Sequence, residues 1–386
     1  MNRKNFDIDA ITLSLYFMMA FFGWLSIYTV TSGNGALDIL DFGREHGKQL
    51  IWIGVSAVVG LIVLTLDYRL FETLAYFAYG GAILLLILTL FIGTEVNGAK
   101  AWLNIAGQRF QPAEFAKNDT GSALVFGSFL IVFYREGLTP LIPLFLAACL
   151  VVVLTTLYLG YSEYSPLWVP GVILVILLLI YAITFSRKYW LRNLIIHTIV
   201  FVFFGGLSLS ANTIYDKLPD HQQKRISVFF DPGADPTGAG YNVIQSKIAI
   251  GSGGIDGKGF LQGNYTKYKF VPKQETDFIF CTVGEEFGWI GSSFVILLFL
   301  AMISRMQFMA ENGKMRFTRI YGYSVLSIIF FHLIVNVGMT IGLVPVIGIP
   351  LPFFSYGGSA LLSFTVLIFI MINLYSYRAS VLGRES

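Results

Sequence analysis

Charge is what this 386-residue sequence has least of: Lys, Arg, Asp and Glu make up 13% of it, against 55% hydrophobic residues. A water-soluble domain carries about a quarter charged residues, so a chain this poor in them needs lipid as its solvent. Cysteine is almost missing. Cys149 and Cys281 are the only two, and both fall inside apolar runs, which argues against a disulfide framework or a zinc site. His46, His197, His221 and His332 are scattered without ligand spacing. The net charge is only +3, and nothing in its distribution gives a nucleic acid a footing. No cleavable leader is evident, because the apolar run after Asp9 has full spanning length and lacks a small-residue cleavage site.

What the sequence has in place of charge is long apolar runs. A helix needs about 20 mainly apolar residues to cross the hydrocarbon core. Spans are expected near 11–31, 49–67, 72–93, 112–133, 140–159, 167–185, 193–211, 279–304, 318–340 and 356–377. Open sheets cannot satisfy their backbone in lipid. The expected fold is therefore an all-α integral membrane protein of about ten transmembrane helices, one polytopic domain over 1–386. A single large loop, residues 211–278, lies between helices 7 and 8. Arg69, Arg135, Arg187, Arg305 and Arg319 are among the cations of one set of connections, whereas the short connections opposite hold only Arg44, Lys48, Lys100 and Arg109. This bias puts both termini in the cytoplasm and the large loop outside. Within the loop, Tyr241, Ile244 and Ile248 recur at helical spacing and Gly251, Gly253 and Gly254 follow. An amphipathic helix lying in the outer interface is expected there.

Ionisable residues at membrane depth cost about 2.5–3.5 kcal/mol each, so each needs a reason. In Arg109-Phe-Gln-Pro-Ala-Glu-Phe-Ala-Lys117, Pro112 opens a helix and puts Glu114 and Lys117 one turn apart. They are either a self-neutralising pair or part of a charged outer cavity with Arg109 ready for a phosphate. Asp277 stands where the loop becomes a helix. Thr276 or Asp277 could cap that helix. Alternatively Asp277 is a general base, with Lys258, Lys267, Lys269 and Lys273 holding an anionic lipid head group. Glu285 and Glu286 follow roughly 12–14 Å further along, too deep for loop charges, and need a partner or a polar cavity. His332 and Asn336 form an i,i+4 pair suited to ordinary interhelical hydrogen bonding. Pro345, Pro350 and Pro352, with Ser355-Tyr-Gly-Gly-Ser359, make a rigid uncharged turn, either a re-entrant or a groove wall.

Taken together, these stretches resemble the SEDS family (FtsW/RodA/SpoVE) of cell-wall polymerases. The resemblance rests on Asn97-Gly-Ala-Lys-Ala-Trp-Leu103, Arg109–Lys117, Asp235-Pro-Thr-Gly-Ala-Gly-Tyr241, Gln245-Ser-Lys-Ile-Ala-Ile-Gly-Ser-Gly-Gly254, Thr276-Asp-Phe-Ile-Phe280, Gly284-Glu-Glu-Phe-Gly288 and Asn336–Ser359, in family order across nearly the whole chain. Gln245–Gly251 and Gly257-Lys-Gly-Phe260 are similar to the elongation branch more than to the division branch. The resemblance implies a ten-helix peptidoglycan glycosyltransferase acting outside the bacterial cytoplasmic membrane on lipid II, the undecaprenyl-pyrophosphate-linked disaccharide peptide. It also implies a class B penicillin-binding protein as transpeptidase partner.

By the same resemblance Asp277 matches the family's essential aspartate. Trp102, Arg109, Glu114 and Lys117 match its outer cavity, with Lys258 and Lys273 as further binding candidates. Glu285, Glu286, Ser355, Gly357 and Gly358 are expected to support the site. No cofactor is required by these residues; the outer loops carry no Asp-x-Asp metal motif, and a divalent cation (Mg or Mn) stays an open option. Two segments depart from the family pattern: Asn118-Asp119-Thr120-Gly121 adds polarity after Lys117, and Tyr158 of Thr156-Leu-Tyr-Leu-Gly160 replaces an aspartate. A lipid II flippase, or a scaffold for the transpeptidase, remains the alternative reading.

Overall fold

The computed structural model describes residues 9–33, 38–71 and 73, the backbone of 94–96, 99–105 and 108–110, isolated positions between 198 and 229, and residues 231–313 and 315–377. The molecule divides into two compact units, residues 1–131 with 241–386, and residues 132–240. Five helices long and apolar enough to cross a membrane lie in the first: α1 (Ala10–Ser32), α2 (Glu45–Thr65), α5 (Ile279–Glu311), α6 (Arg316–Ile341) and α7 (Gly358–Ser376). They match five expected spans, and the chain is a multi-pass helical membrane protein. The other expected spans, with Asn118–Gly121 and Thr156–Gly160, fall outside the described residues but for isolated positions. In the second unit Asp231 caps a 3₁₀ turn over Pro232–Ala234 by accepting from Gly233 N at 2.9 Å.

One feature departs from an all-α expectation. Residues 94–110 form an antiparallel three-stranded meander, β1 (Thr94–Val96), β2 (Ala99–Ile105) and β3 (Gln108–Phe110), in the order β1-β2-β3. These strands are too short to span lipid. The segment carries Lys100, Asn104 and Arg109 and is not apolar enough for a helix of spanning length.

The helices are joined by residues that let backbones approach. α7 packs on α2, where a Cβ on Gly60 would lie 2.6 Å from the Phe369 ring and one on Gly358 would enter the Trp52 indole. Such small residues replace hydrophobic driving force as the basis of helix association in lipid. Tyr16 of α1 meets Phe353 and Phe369 edge-on at 5.3 and 5.4 Å, and its hydroxyl lies 2.9 Å from Thr365 Oγ1. Asn373 Nδ2 donates to the carbonyls of Val63, Leu64 and Leu66 at 2.9–3.0 Å. It thereby pairs carbonyls at the end of α2 that the helix itself leaves unbonded.

The bundle has two distinct ends. At one, Asp9 caps α1 and accepts from Arg305 Nε at 3.1 Å near the end of α5. The other end gathers the start of α5, the 342–357 connection, α3 (Ala239–Gly253) and the short α4 (Asn264–Lys267). α3 packs on the protein through a face of mainly small residues and turns Ile244 and Ile248 away from it. Val243, Ser246, Ala249 and Gly253 are buried, while Ile244 and Ile248 are exposed. Gly253 packs on the backbone of Gly284 and Glu285, an approach only small residues permit. Ser246 Oγ donates to Thr340 O at 2.9 Å. The helix continues through Gly251 and Gly253, and Gly254, at φ +61°, ends it.

Candidate active site

Asp277 lies in a tight turn at the head of α5. Lys273, at φ +55°, offers its carbonyl to the N–H groups of Thr276, Asp277 and Phe278 at 3.1–3.3 Å. Phe278, buried in a small cluster with Ala249, Val271 and Cys281, pins the turn. Phe278 is also the N-cap residue of α5, and its own side chain makes no cap hydrogen bond. Asp277 is half-buried. Its carboxylate faces Gly348, at φ +80°, whose missing Cβ would sit 3.1 Å from Oδ2. Below the turn, Asn336 Nδ2 donates to Asp277 O at 2.9 Å and to Ile349 O at 2.8 Å. Beside it, Tyr356 N donates to Glu275 O at 2.8 Å. Burial first, then the carboxylates of Glu45 and Glu275, push the Tyr356 phenol above its ordinary value.

Eleven residues after Asp277, α5 breaks at Gly288 (φ 62°, ψ −155°). A helix uninterrupted there would pair 289 N with 285 O and 290 N with 286 O. The chain at 254–259 takes all four groups: Lys258 N and Gly259 N donate to Glu285 O and Glu286 O at 3.0 and 2.9 Å, and Trp289 N and Ile290 N donate to Gly254 O and Ile255 O at 2.9 and 3.2 Å. Glu285 and Glu286 are both fully buried. The partner that Glu285 was expected to need is Lys258 of the loop, which is inserted into the helix at this level. Glu285 accepts from Lys258 Nζ at 2.7 Å, Tyr265 N at 2.9 Å, and Thr266 N and Oγ1 at 2.8 Å. Glu286 accepts from Leu261 N at 3.0 Å.

The remaining expected residues divide. Lys258, paired with Glu285 and 5.3 Å from the Tyr265 ring centroid, holds the loop and is not an open anion site. Lys269 and Lys273 are exposed. Trp102 lies on β2 opposite Thr94, and Arg109 on β3 opposite Asn104. Glu114 and Lys117 lie outside the described residues. Ser355 Oγ accepts from Leu351 N at 2.7 Å, closing the turn before α7, and Gly357 N reaches Gln49 Oε1 at 3.4 Å. Gly358 is where Trp52 packs. Sequence reasoning missed Gln274, which is fully buried and donates to Thr266 Oγ1 and Thr282 Oγ1 at 2.9 and 3.0 Å. It also missed Gly348, one more glycine in a proline-rich run.

An apolar cavity of about 430 Å³ lies between α1 and α5, lined by Phe22, Val283, Phe287, Phe294 and Phe354 among others. Ser26 and Asp256 are the polar side chains of its lining. Among the described residues no group of three or more His, Cys, Asp and Glu is arranged to hold a metal ion. The site therefore offers two half-buried acids in one turn, Glu275 and Asp277, of which Asp277 faces Gly348, with exposed lysines four and eight residues before Asp277. That arrangement can take a proton from a hydroxyl presented at the end of the bundle.

Comparison with known proteins accords with this geometry. The profile of the FtsW/RodA/SpoVE family, described as cell cycle protein, matches residues 10–380. The chain is 32% identical over 384 residues to the peptidoglycan glycosyltransferase MrdB of Escherichia coli K12, covering 98% of this chain and 97% of that one. It is 30% identical over 417 residues to the peptidoglycan glycosyltransferase RodA of Treponema pallidum, covering 92% and 94%. Among solved structures, a chain of a peptidoglycan synthase complex that coordinates polymerization and crosslinking matches with a TM-score of 0.61 at 26% identity, over 96% of this chain and 98% of that one. Rod shape determining protein RodA of Thermus thermophilus shares the fold, with a TM-score of 0.51 at 21% identity over 96% and 98% of the two chains.

Proposed function

The chain belongs to the FtsW/RodA/SpoVE family, and from that premise we propose that it polymerises lipid II into glycan strands with Asp277 as general base. It is a peptidoglycan glycosyltransferase of cell-wall elongation, held in a bacterial membrane by multiple helices. The carboxylate of Asp277 takes the proton of the acceptor sugar's 4-hydroxyl. The freed oxygen forms a bond to the donor's anomeric carbon as the bond from that carbon to pyrophosphate breaks, with inversion. The electron pair leaves on undecaprenyl pyrophosphate. Arg109 of the meander, Lys269 and Lys273 stabilise that charge, with a divalent cation as a further contributor. Removing a charge-stabilising donor at such a site costs about 10²–10³ in rate, so these cations rank with the base. Both termini are cytoplasmic, and the Asp277 end of the bundle faces outward to meet lipid II and a class B penicillin-binding protein that crosslinks the product.

The observation that supports this reading best is Asp277 itself: a half-buried acid at the head of α5, in a turn fixed by backbone bonds, with its carboxylate toward Gly348. The test is polymerisation by purified protein given lipid II accessible from both sides, comparing the chain with Asp277→Asn. Glycan made by the first and lost in the second, at equal thermal stability, supports the base. Glycan made equally by both rejects it. Lipid transfer between leaflets without glycan formation would favour a flippase.

A further inference from the structure

Asn336 and His332 sit one turn apart on α6, and both were expected to make ordinary bonds between helices. The structure gives them another task. Asn336 is fully buried, and its single amide nitrogen bridges two carbonyls from separate segments, Asp277 O at 2.9 Å and Ile349 O at 2.8 Å. Both neighbours are acceptors, so the nitrogen and not the oxygen must face them. One turn earlier, His332 Nδ1 lies 3.1 Å from Pro350 O, donating in its Nδ1–H tautomer, while the ring packs edge-on against Phe364 at 5.0 Å. Pro345, Pro350 and Pro352 deprive the 342–357 connection of backbone donors. Its carbonyls at 349 and 350 are taken instead by side chains of α6. Gly348 adjoins these anchored carbonyls and faces the Asp277 carboxylate. A second tie, Tyr356 N to Glu275 O at 2.8 Å, holds the same connection to the turn two residues from Asp277.

We infer that Asn336, supported by His332, and Gly348 are positioning residues for the Asp277 carboxylate: Asn336 sets the height of the turn, and Gly348 leaves the space in which the acid turns toward the acceptor hydroxyl. The inference rests on the proposed role of Asp277. The chemistry at position 336 is narrow. An aspartate there supplies no donor at neutral pH and sets a charge against two carbonyls, and an aliphatic side chain leaves both carbonyls unpaired. At position 348, alanine would add both strain at φ +80° and crowding at 3.1 Å from Oδ2. Asparagine tolerates that backbone conformation and adds the crowding alone.

The experiment measures steady-state polymerisation of lipid II by the full-length protein and by Asn336→Asp, Gly348→Asn and Asp277→Asn, each with its thermal melting curve. Displacement of a reacting group by about 1 Å costs on the order of a hundredfold in rate. Asn336→Asp and Gly348→Asn should therefore lose about ten- to hundredfold in kcat, with KM for lipid II changed less than about twofold and the acidic limb of the pH–rate profile displaced. A purely structural role would lower the melting temperature and the amount of active enzyme and leave that limb in place. Because Gly348→Asn keeps the backbone conformation, it carries the test if Asn336→Asp does not fold. Wild-type kcat in the folded variants, or a rate loss with an unmoved pH limb, overturns the inference. Full activity of Asp277→Asn overturns the reading beneath it, which is a separate result.

Discussion

Asp277 and Glu285 lie eight residues apart at the head of one helix, and the protein treats them oppositely. Glu285 is fully buried and takes four hydrogen bonds, one from an ammonium, so both carboxylate oxygens are engaged. Asp277 is half-buried, and its turn is held by its main chain, through Lys273 O and Asn336, while its carboxylate confronts a glycine. One acid is fixed by its side chain and fastens a loop. The other sits in a turn fixed through its backbone, with its carboxylate toward the Gly348 gap. The two acids differ in what surrounds them, a full set of donors at Glu285 and an anchored turn facing a glycine at Asp277.

Four substitutions bear on that contrast. The largest effect is expected on activity from Asp277→Asn: a loss of about 10²–10⁴ in polymerisation rate with an unchanged melting temperature. An equal loss of stability would erase the distinction from Glu285. Next, Glu285→Ala should destabilise the protein by about 3–5 kcal/mol, since it strands Lys258 and three further donors. Hydrogen exchange should then accelerate across 254–267, where the loop enters α5; unchanged exchange there would show that the backbone bonds alone hold it. Lys258→Met leaves Glu285 with three of its donors and should cost less, about 1.5–3 kcal/mol by thermal or denaturant unfolding.

The smallest effect concerns the opposite end of the bundle. Burial works to raise the Asp9 carboxyl, but the hydrogen bonds from Arg305 and Thr12 outweigh it and hold it below its ordinary value. A carboxyl lowered in the folded state contributes stability above its unfolded pKa of about 4, and that contribution is lost as pH falls through the folded value. Asp9→Asn should therefore narrow the stability difference between neutral and acidic pH. Unfolding curves at several pH values that stay parallel to wild type would show that the pair contributes nothing.

Much of this could be read without coordinates. The scarcity of charge and the lengths of the apolar runs determined a helical membrane protein, because hydrocarbon admits few other backbones. Helix ends were legible to within a few residues where glycine or aspartate marks them, as at Gly33 and Asp9. Asp277 stood out by its place at a boundary between loop and helix. The sheet at 94–110 was not legible: three strands this short carry too little alternation to register.

The roles of Lys258, Asn336, Gly348 and Glu285 were decided only by tertiary structure. Sequence spacing showed that Glu285 needs a partner or a polar cavity, but not that Gly288 breaks the helix and that the loop at 254–259 fills the break and brings Lys258 to it. It likewise marked the apolar face of α3 but not the side by which it packs, which close backbone approach at Gly253 and Gly284 decides. Periodicity measures how apolar a face is. Which face another backbone can reach, and which carbonyls a buried amide must satisfy, are set by contacts between segments distant in the chain.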